Sequence, residues 1–405
     1  MKISHSLFSR GMVAVLTAQF VSALADNALL FAAIALLKSQ AAPGWQIPML
    51  QEFFVIAFIL LAPFVGPFAD TLPKGRVMLI ANSLKLIGAC AMLVGLHPLL
   101  AYGMVGLGAA AYSPAKYGIL SELVGPEKLV KANSMMEGST IVAILLGAIV
   151  GGWLAAHSVN TALASIATCY LLAMVANLLI PRLPPAHPLT HFSVPVLFSD
   201  FWHALRSLLG NRDARFTLLG TSVFWGAGST LRFLLVAWVP AALLIRDDAA
   251  ALSMAANLSG VVAIGIALGA AAAARFVSLK TVNRALPAGI LIGGLIMAFA
   301  FVDHLYLAIL LLILTGACGG FYVVPLNALL QERGHETVGA GHAIAIQNFF
   351  ENGCMLLMIG FYTLLDKQGV SVVDSTMIVG AVVLLAIGSL SLLRYSQTRK
   401  MPRAP

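Results

Sequence analysis

Gly11-Met-Val-Ala-Val-Leu-Thr-Ala-Gln-Phe-Val-Ser-Ala-Leu-Ala-Asp26-Asn-Ala-Leu-Leu-Phe-Ala-Ala-Ile-Ala-Leu-Leu37 is a 27-residue apolar run with one carboxylate near its middle. Spanning a hydrocarbon core of about 30 Å takes about 20 residues of helix, so this run crosses a bilayer. A charge at the bilayer centre costs about 2.5–3.5 kcal/mol, and a charge kept at that cost faces a bundle interior or a wet cavity. Arg232 holds the same kind of place in Phe216–Leu244. Two opposite charges at mid-membrane imply a path for a substrate or an ion.

The rest of the chain has the same character. Of 405 residues, 60% are hydrophobic and 10% charged, with mean hydropathy +0.95. A soluble domain of this size has too little interior to hide so much apolar surface. Twelve segments predict spanning helices: 11–37, 47–69, 77–96, 98–124, 132–156, 160–181, 216–244, 252–276, 285–302, 305–330, 341–365 and 372–393. The fold class is therefore an all-α polytopic membrane protein. Cys90, Cys169, Cys318 and Cys354 fall inside apolar segments without metal-type spacing and are read as packing residues. No metal or cofactor is implied.

Lys2, Arg10, the apolar run and Ala23-Leu24-Ala25 imitate a secretory signal with its cleavage site. The run continues through Ala28–Leu37, and the expectation is an uncleaved first helix. Basic residues set the orientation. With both termini in the cytoplasm, the inner segments hold 18 of the 24 Lys and Arg, and the outer loops hold Lys38, Arg246 and Lys367. The net charge of +8 is then a topology signal with some affinity for anionic membrane lipids, and nucleic acid is not needed to explain it.

The long connection, 182–215, separates an N-terminal six-helix bundle (1–181) from a C-terminal one (216–405). It opens with Pro181, Pro184, Pro185 and Pro188. Val196–Leu209 then recovers a helical period with Phe198, Phe201, Trp202, Leu205 and Leu209 on one face, suited to the inner headgroup region. The halves resemble each other faintly. Phe31 matches Phe233, Gly66 matches Gly269, Pro114 matches Pro325, and Glu137 matches Glu351, at an offset rising from 202 to 214. Loop insertions into a duplicated unit produce such a drift. A 6+6 arrangement resembles the major facilitator architecture, in which substrate binds near the midplane. Gly66-Pro-Phe-Ala-Asp70-Thr-Leu-Pro-Lys74-Gly75-Arg76 resembles that superfamily's signature between helices two and three, two residues longer after the acid. Asp70 is expected to cap the next helix, with Lys74 and Arg76 helping to latch the inner side.

Six charges lie within the spans, Asp26, Glu137 and Glu351 against Lys85, Lys116 and Arg232. They cancel, as expected for pairs facing a cavity. Lys85 is read as snorkelling to the inner interface. Glu52 is interfacial, and His342 is polar lining. A guanidinium suits phosphate and a carboxylate suits ammonium, so Arg232 with Asp26 fits a zwitterionic head. Candidate binding residues are Asp26, Asn27, Arg232, Glu351, Lys116, Glu137 and Gln347. Phe20, Phe31, Phe224, Trp225, Phe233, Phe349 and Phe350 offer apolar surface for an acyl tail, and Asn348 is a further candidate for the cavity lining. Gly147-x-x-x-Gly151 and Gly265-x-x-x-Gly269 allow close helix packing.

Five blocks carry a closer resemblance: Ala25–Phe31, Ala111–Leu120, Phe224–Gly228, Thr230–Leu235 and Val324–Arg333. They resemble the bacterial lysophospholipid transporter family of the major facilitator superfamily, over nearly the whole chain. The resemblance implies a monomeric inner-membrane flippase moving lysophosphatidylethanolamine inward. A partner acyltransferase/acyl-carrier-protein synthetase then reacylates it. Asp26 and Arg232 correspond to the family's central acid and base. The residues alone also admit a transporter of a soluble zwitterion or drug. A membrane acyltransferase would need a base such as His beside an acid, or an activated nucleophile; no His-x4-Asp arrangement occurs and no His sits at mid-membrane. Coupling to a proton, to sodium or to neither has no spacing signature.

Overall fold

The computed structural model describes residues 6–42, 46–184, 193–246 and 248–399. Lys2, Pro185, Pro188, Lys400 and Arg403 lie outside them. Thirteen α-helices are present among the described residues: α1 (Arg10–Ser39), α2 (Gln46–Thr71), α3 (Lys74–Leu93), α4 (Pro98–Leu123), α5 (Pro126–His157), α6 (Val159–Leu178), α7 (Val194–Gly210), α8 (Arg212–Ala242), α9 (Asp248–Phe276), α10 (Leu286–Phe299), α11 (Leu305–Thr337), α12 (Ala340–Lys367) and α13 (Val372–Arg399). A 3-10 turn, Leu279–Ala285, leads into α10.

Eleven spans among the described residues are long and apolar enough to cross a membrane. The twelfth expected crossing, α4, has 26 residues, or about 39 Å at 1.5 Å per residue. Its apolar character is diluted by glycines, tyrosines and Lys116, so length and not hydropathy qualifies it. Several helices outrun their expected bounds. α5 starts at Pro126, with proline in its first turn and Glu127 beside the N-terminal N–H groups. Hydropathy marks only the part of a helix in lipid, whereas its polar turns continue beyond. α1 runs unbroken through Ala23-Leu24-Ala25.

Two of the four repeat pairs hold equal places in their helices. Phe31 follows the start of α1 at Arg10 by 21 residues, as Phe233 follows the start of α8 at Arg212. Glu137 follows Pro126 of α5 by 11, as Glu351 follows Ala340 of α12.

The chain forms two compact units. The first is Met1–Leu208 with Gln331–Phe349, and the second is Leu209–Leu330 with Phe350–Pro405. In the first, α1 packs on α5 and α6, and α4 packs on α2 and α3. Its core joins Ala25, Ala28, Leu29 and Ala32 of α1 to Tyr102 and Val105 of α4 and to Ile166 and Tyr170 of α6. Close approach of α1 and α5 depends on Gly151, where a Cβ would collide with the backbone of Ala28. In the second unit, α8 packs on α9 and α13, and α10 packs on α13. Leu231, Leu235, Trp238 and Val239 of α8 pack with Leu258, Phe299 and Leu312. The Trp238 indole N–H donates to the Val302 carbonyl at 3.1 Å.

Two features depart from the sequence reading. Gln331–Phe349 lies between the C-terminal spans in sequence yet packs into the first unit. The linker helix α7 buries Leu197, Phe201, Ala204, Leu205 and Leu208, while Phe198 and Trp202 of the expected apolar face are each 51% exposed. The buried set follows the i, i+4, i+7, i+11 spacing of a 3.6-residue turn, which the expected stripe missed by one position.

Candidate functional site

Asp26 is engaged by both oxygens. Lys85 Nζ of α3 lies 2.7 Å from Oδ2, and the Tyr170 hydroxyl of α6 donates to Oδ1 at 2.8 Å. Lys85 also donates to Ser22 Oγ at 3.0 Å, and Ser22 donates to Asn82 Oδ1 at 2.7 Å. The ammonium sits 4.9 Å from the centre of the Tyr112 ring. The expectation that Lys85 snorkels is therefore corrected: its side chain is 2% exposed and turned into the bundle. A free ammonium in that interior would cost more than reaching the interface, and the Asp26 carboxylate reverses the balance. Sequence reasoning missed Lys85, Tyr170, Ser22 and Asn82. The balance of three acids against three bases was the signal that Lys85 has a partner. Asn27 donates back to the Ala23 carbonyl at 2.8 Å, within its own helix.

A second polar group joins α4 and α5. The Tyr117 hydroxyl donates to Glu137 Oε1 at 2.6 Å, and Lys116 lies 4.2 Å from the centre of the Tyr117 ring. Lys116 and Glu137 are both buried. Asn133, one turn from Glu137, forms a reciprocal amide pair with Gln331 at 2.9 and 2.7 Å. Both are fully buried, which is one reason 331–349 belongs to this unit. Asn348 donates to Ser113 Oγ at 2.9 Å. Gln347 is buried nearby in sequence on α12, and Phe20 is half-buried on α1.

Asp70 caps α12 instead of the next helix, α3. Its Oδ1 accepts the Gly341 N–H at 2.9 Å, and Oδ2 faces the His342 N–H at 3.2 Å and His342 Nδ1 at 3.1 Å. A carboxylate beside orphan N–H groups at a helix N-terminus is favourable through both hydrogen bonding and the helix dipole. Lys74 Nζ bridges Asp70 at 3.2 Å and Glu122 of α4 at 2.8 Å. Thus α2, α3, α4 and α12 meet at one buried cluster. Arg76, expected to share this latch, is exposed and has no ion pair among the described residues. Glu122 and Gly341 were not anticipated, because their partners lie far away in sequence. A cavity of about 440 Å³ beside the cluster is lined in part by Asp70, Thr71, His203, Thr337 and His342.

In the second unit, Arg232 is exposed on α8 and has neither an ion pair nor a hydrogen bond among the described residues. Its neighbour Phe233 is 45% exposed and Trp225 is half-buried. Phe224 does not line open space. It is 7% exposed, packs edge-on against Trp225 with ring centres 5.3 Å apart, and fills the place where Gly319 lacks a side chain. Phe31, in the first unit, is 38% exposed, and Glu351 is buried in the second. A guanidinium with no ion pair among the described residues, beside exposed aromatic surface, can take a phosphate, with apolar substrate lying along the rings.

Two compact units built from long apolar helices, with buried charges inside them, define a polytopic membrane transporter. The Major Facilitator Superfamily model matches residues 15–358. The lysophospholipid transporter LplT of Enterobacter sp. (strain 638) is 56% identical over 385 residues, covering 95% of this chain and 96% of the relative. LplT of Klebsiella pneumoniae (strain 342) has the same identity and coverage, and LplT of Escherichia coli O7:K1 (strain IAI39 / ExPEC) is 55% identical with equal coverage. The chain belongs to the major facilitator superfamily and, within it, to the family of these transporters. Solved structures share the fold. The E. coli fucose:proton symporter FucP (N162A) aligns with TM-score 0.71 at 14% identity, over 94% of this chain and 98% of its own. A bacterial homologue of the iron transporter ferroportin, in an outward-facing state, aligns at 0.73 and 16% with the same coverage. At such identities the likeness concerns fold alone. Membership of a transporter superfamily removes the acyltransferase alternative.

Proposed function

We propose that this chain is a lysophospholipid flippase of the bacterial inner membrane, with both termini in the cytoplasm. It moves lysophosphatidylethanolamine and related lysophospholipids from the outer to the inner leaflet, where a partner acyltransferase/acyl-carrier-protein synthetase reacylates them. The observation that carries this reading is identity of 55–56%, along 95% of the chain, to relatives named lysophospholipid transporter. The geometry of Arg232 supports it, because an exposed guanidinium without an anionic partner among the described residues is suited to an anion that arrives with the substrate.

The transport cycle is alternating access by a monomer. The Asp70 cluster on the N-terminus of α12 holds the cytoplasmic side shut and releases when that side opens. Asp26, Glu137, Lys116 and Glu351 supply polar surroundings for the head group, with Gln347 and Asn27 beside them in sequence.

The test is transfer of labelled lysophosphatidylethanolamine across vesicles containing the pure protein, with acylation followed in the same sample. Transfer above protein-free vesicles without acylation is the expected result. Transfer of free phosphoethanolamine but not of the lysolipid would replace this reading with a soluble-zwitterion transporter. The appearance of diacyl product would mean an enzyme.

A further inference from the structure

We propose that Lys85 is a positioning residue of the head-group site. It is the permanent counter-ion of Asp26, so the carboxylate serves transport as half of a neutral pair and not as a direct ligand for a substrate ammonium. The inference rests on the transport reading above.

Three observations carry it. First, both oxygens of the Asp26 carboxylate are engaged: Lys85 holds Oδ2 at 2.7 Å and Tyr170 donates to Oδ1 at 2.8 Å. A substrate ammonium would meet a carboxylate whose charge Lys85 already neutralises. Second, Lys85 is not a mobile surface lysine that could swing away. It is 2% exposed and is held by Asp26, by Ser22 Oγ at 3.0 Å and by the face of Tyr112. Third, the pair joins three helices, α1 through Asp26 and Ser22, α3 through Lys85, and α6 through Tyr170. Withdrawing Lys85 would leave a carboxylate in a low-dielectric interior with only a phenol for compensation, which is strongly unfavourable.

The pair therefore does two things. It fixes α1 against α3 and α6, and it cancels a negative charge that would otherwise repel a phosphate-bearing head. Charge recognition of the substrate falls to Arg232, the exposed cation within the apolar part of α8. Replacing both members of a buried pair with neutral groups of similar volume is often tolerated, whereas removing one is not. That asymmetry separates a positioning pair from a substrate ligand.

The experiment compares Lys85→Met, Asp26→Asn, the double variant Asp26→Asn/Lys85→Met and Lys85→Arg with the wild-type protein in vesicles. Uptake of ethanolamine-headed and glycerol-headed lysolipids is measured for each. Wild-type transfer establishes the underlying reading independently, so its failure is distinct from failure here. Each single neutral variant should lose at least about tenfold in uptake of the glycerol-headed substrate, as an unpaired buried charge does. Lys85→Met should spare the ethanolamine-headed substrate relative to it, because the freed carboxylate then attracts an ammonium. That shift in head-group ratio is one a purely structural defect would not produce. The double variant should recover both uptakes to within about threefold of wild type, the coupling expected of contacting residues. A double variant as inactive as Asp26→Asn alone would overturn the proposal. If both single variants fail to insert, the double variant and Lys85→Arg decide: both transporting supports the pair, and an inactive double variant refutes it.

Discussion

Arg232 and Asp26 are opposite charges placed deep in apolar helices, and the structure treats them differently. Asp26 is half-buried and bound by Lys85 and Tyr170, whereas Arg232 is exposed on α8. Arg232→Ala should therefore leave a folded, inserted protein, because no protein anion among the described residues loses its partner. Uptake of lysophosphatidylethanolamine should fall by at least about thirtyfold, the equivalent of a charge-assisted hydrogen bond worth about 2 kcal/mol. Arg232→Lys should restore only part of it, since an ammonium lacks the planar fork that holds two phosphate oxygens. Membrane content on a blot and initial uptake rate together check this. Near wild-type uptake by Arg232→Ala would remove Arg232 from the site.

At the scale of elements, two contacts set how helices meet. Gly151 faces the backbone of Ala28, so Gly151→Leu must push α5 from α1, an overpacking of about 1–3 kcal/mol. Gly152 has nothing within 4 Å of a built Cβ, so Gly152→Leu is the matched control. The thermal midpoint in detergent should drop for the first and hold for the second. The Asp70 cluster is the other contact. Asp70→Ala deletes a cap of about 1 kcal/mol on α12 and leaves Lys74 to Glu122 alone. The inner side should then open more often. A cysteine at Val338, which lines the adjoining cavity, should react faster with a thiol reagent when Asp70 is replaced, in a background lacking the four native cysteines. Unchanged labelling would mean that the cluster is not a barrier.

At the scale of the whole molecule, the asymmetry of basic residues predicts an orientation with both termini in the cytoplasm. Arg284 and Arg246 are both exposed and belong to segments assigned to opposite sides. With single cysteines at these positions, an impermeant thiol reagent added to intact spheroplasts should label Arg246→Cys and spare Arg284→Cys. The reverse pattern would invert the topology and with it the proposed inward direction of flipping.

Each prediction draws on information of a different range. The crossings and the repeat that places Phe31 and Phe233 at equal depth in α1 and α8 were legible in the sequence. Hydropathy acts along one helix, and a duplicated unit keeps its own register. Asp26 and Arg232 were legible as intramembrane charges for the same reason. Their partners were not. Lys85 lies 59 residues from Asp26, and Gly341 lies 271 residues from Asp70. Which side chains meet depends on how each helix is rotated about its axis and which neighbour it packs on, as small residues such as Gly151 allow. Hydropathy is nearly indifferent to that rotation in a helix that is apolar all round. The sequence by itself determined that this chain is a membrane bundle with charges inside it. Only the tertiary structure decided that one acid is neutralised by Lys85 and that another caps a helix from the far half of the chain, because both require helices distant in sequence to be brought into contact.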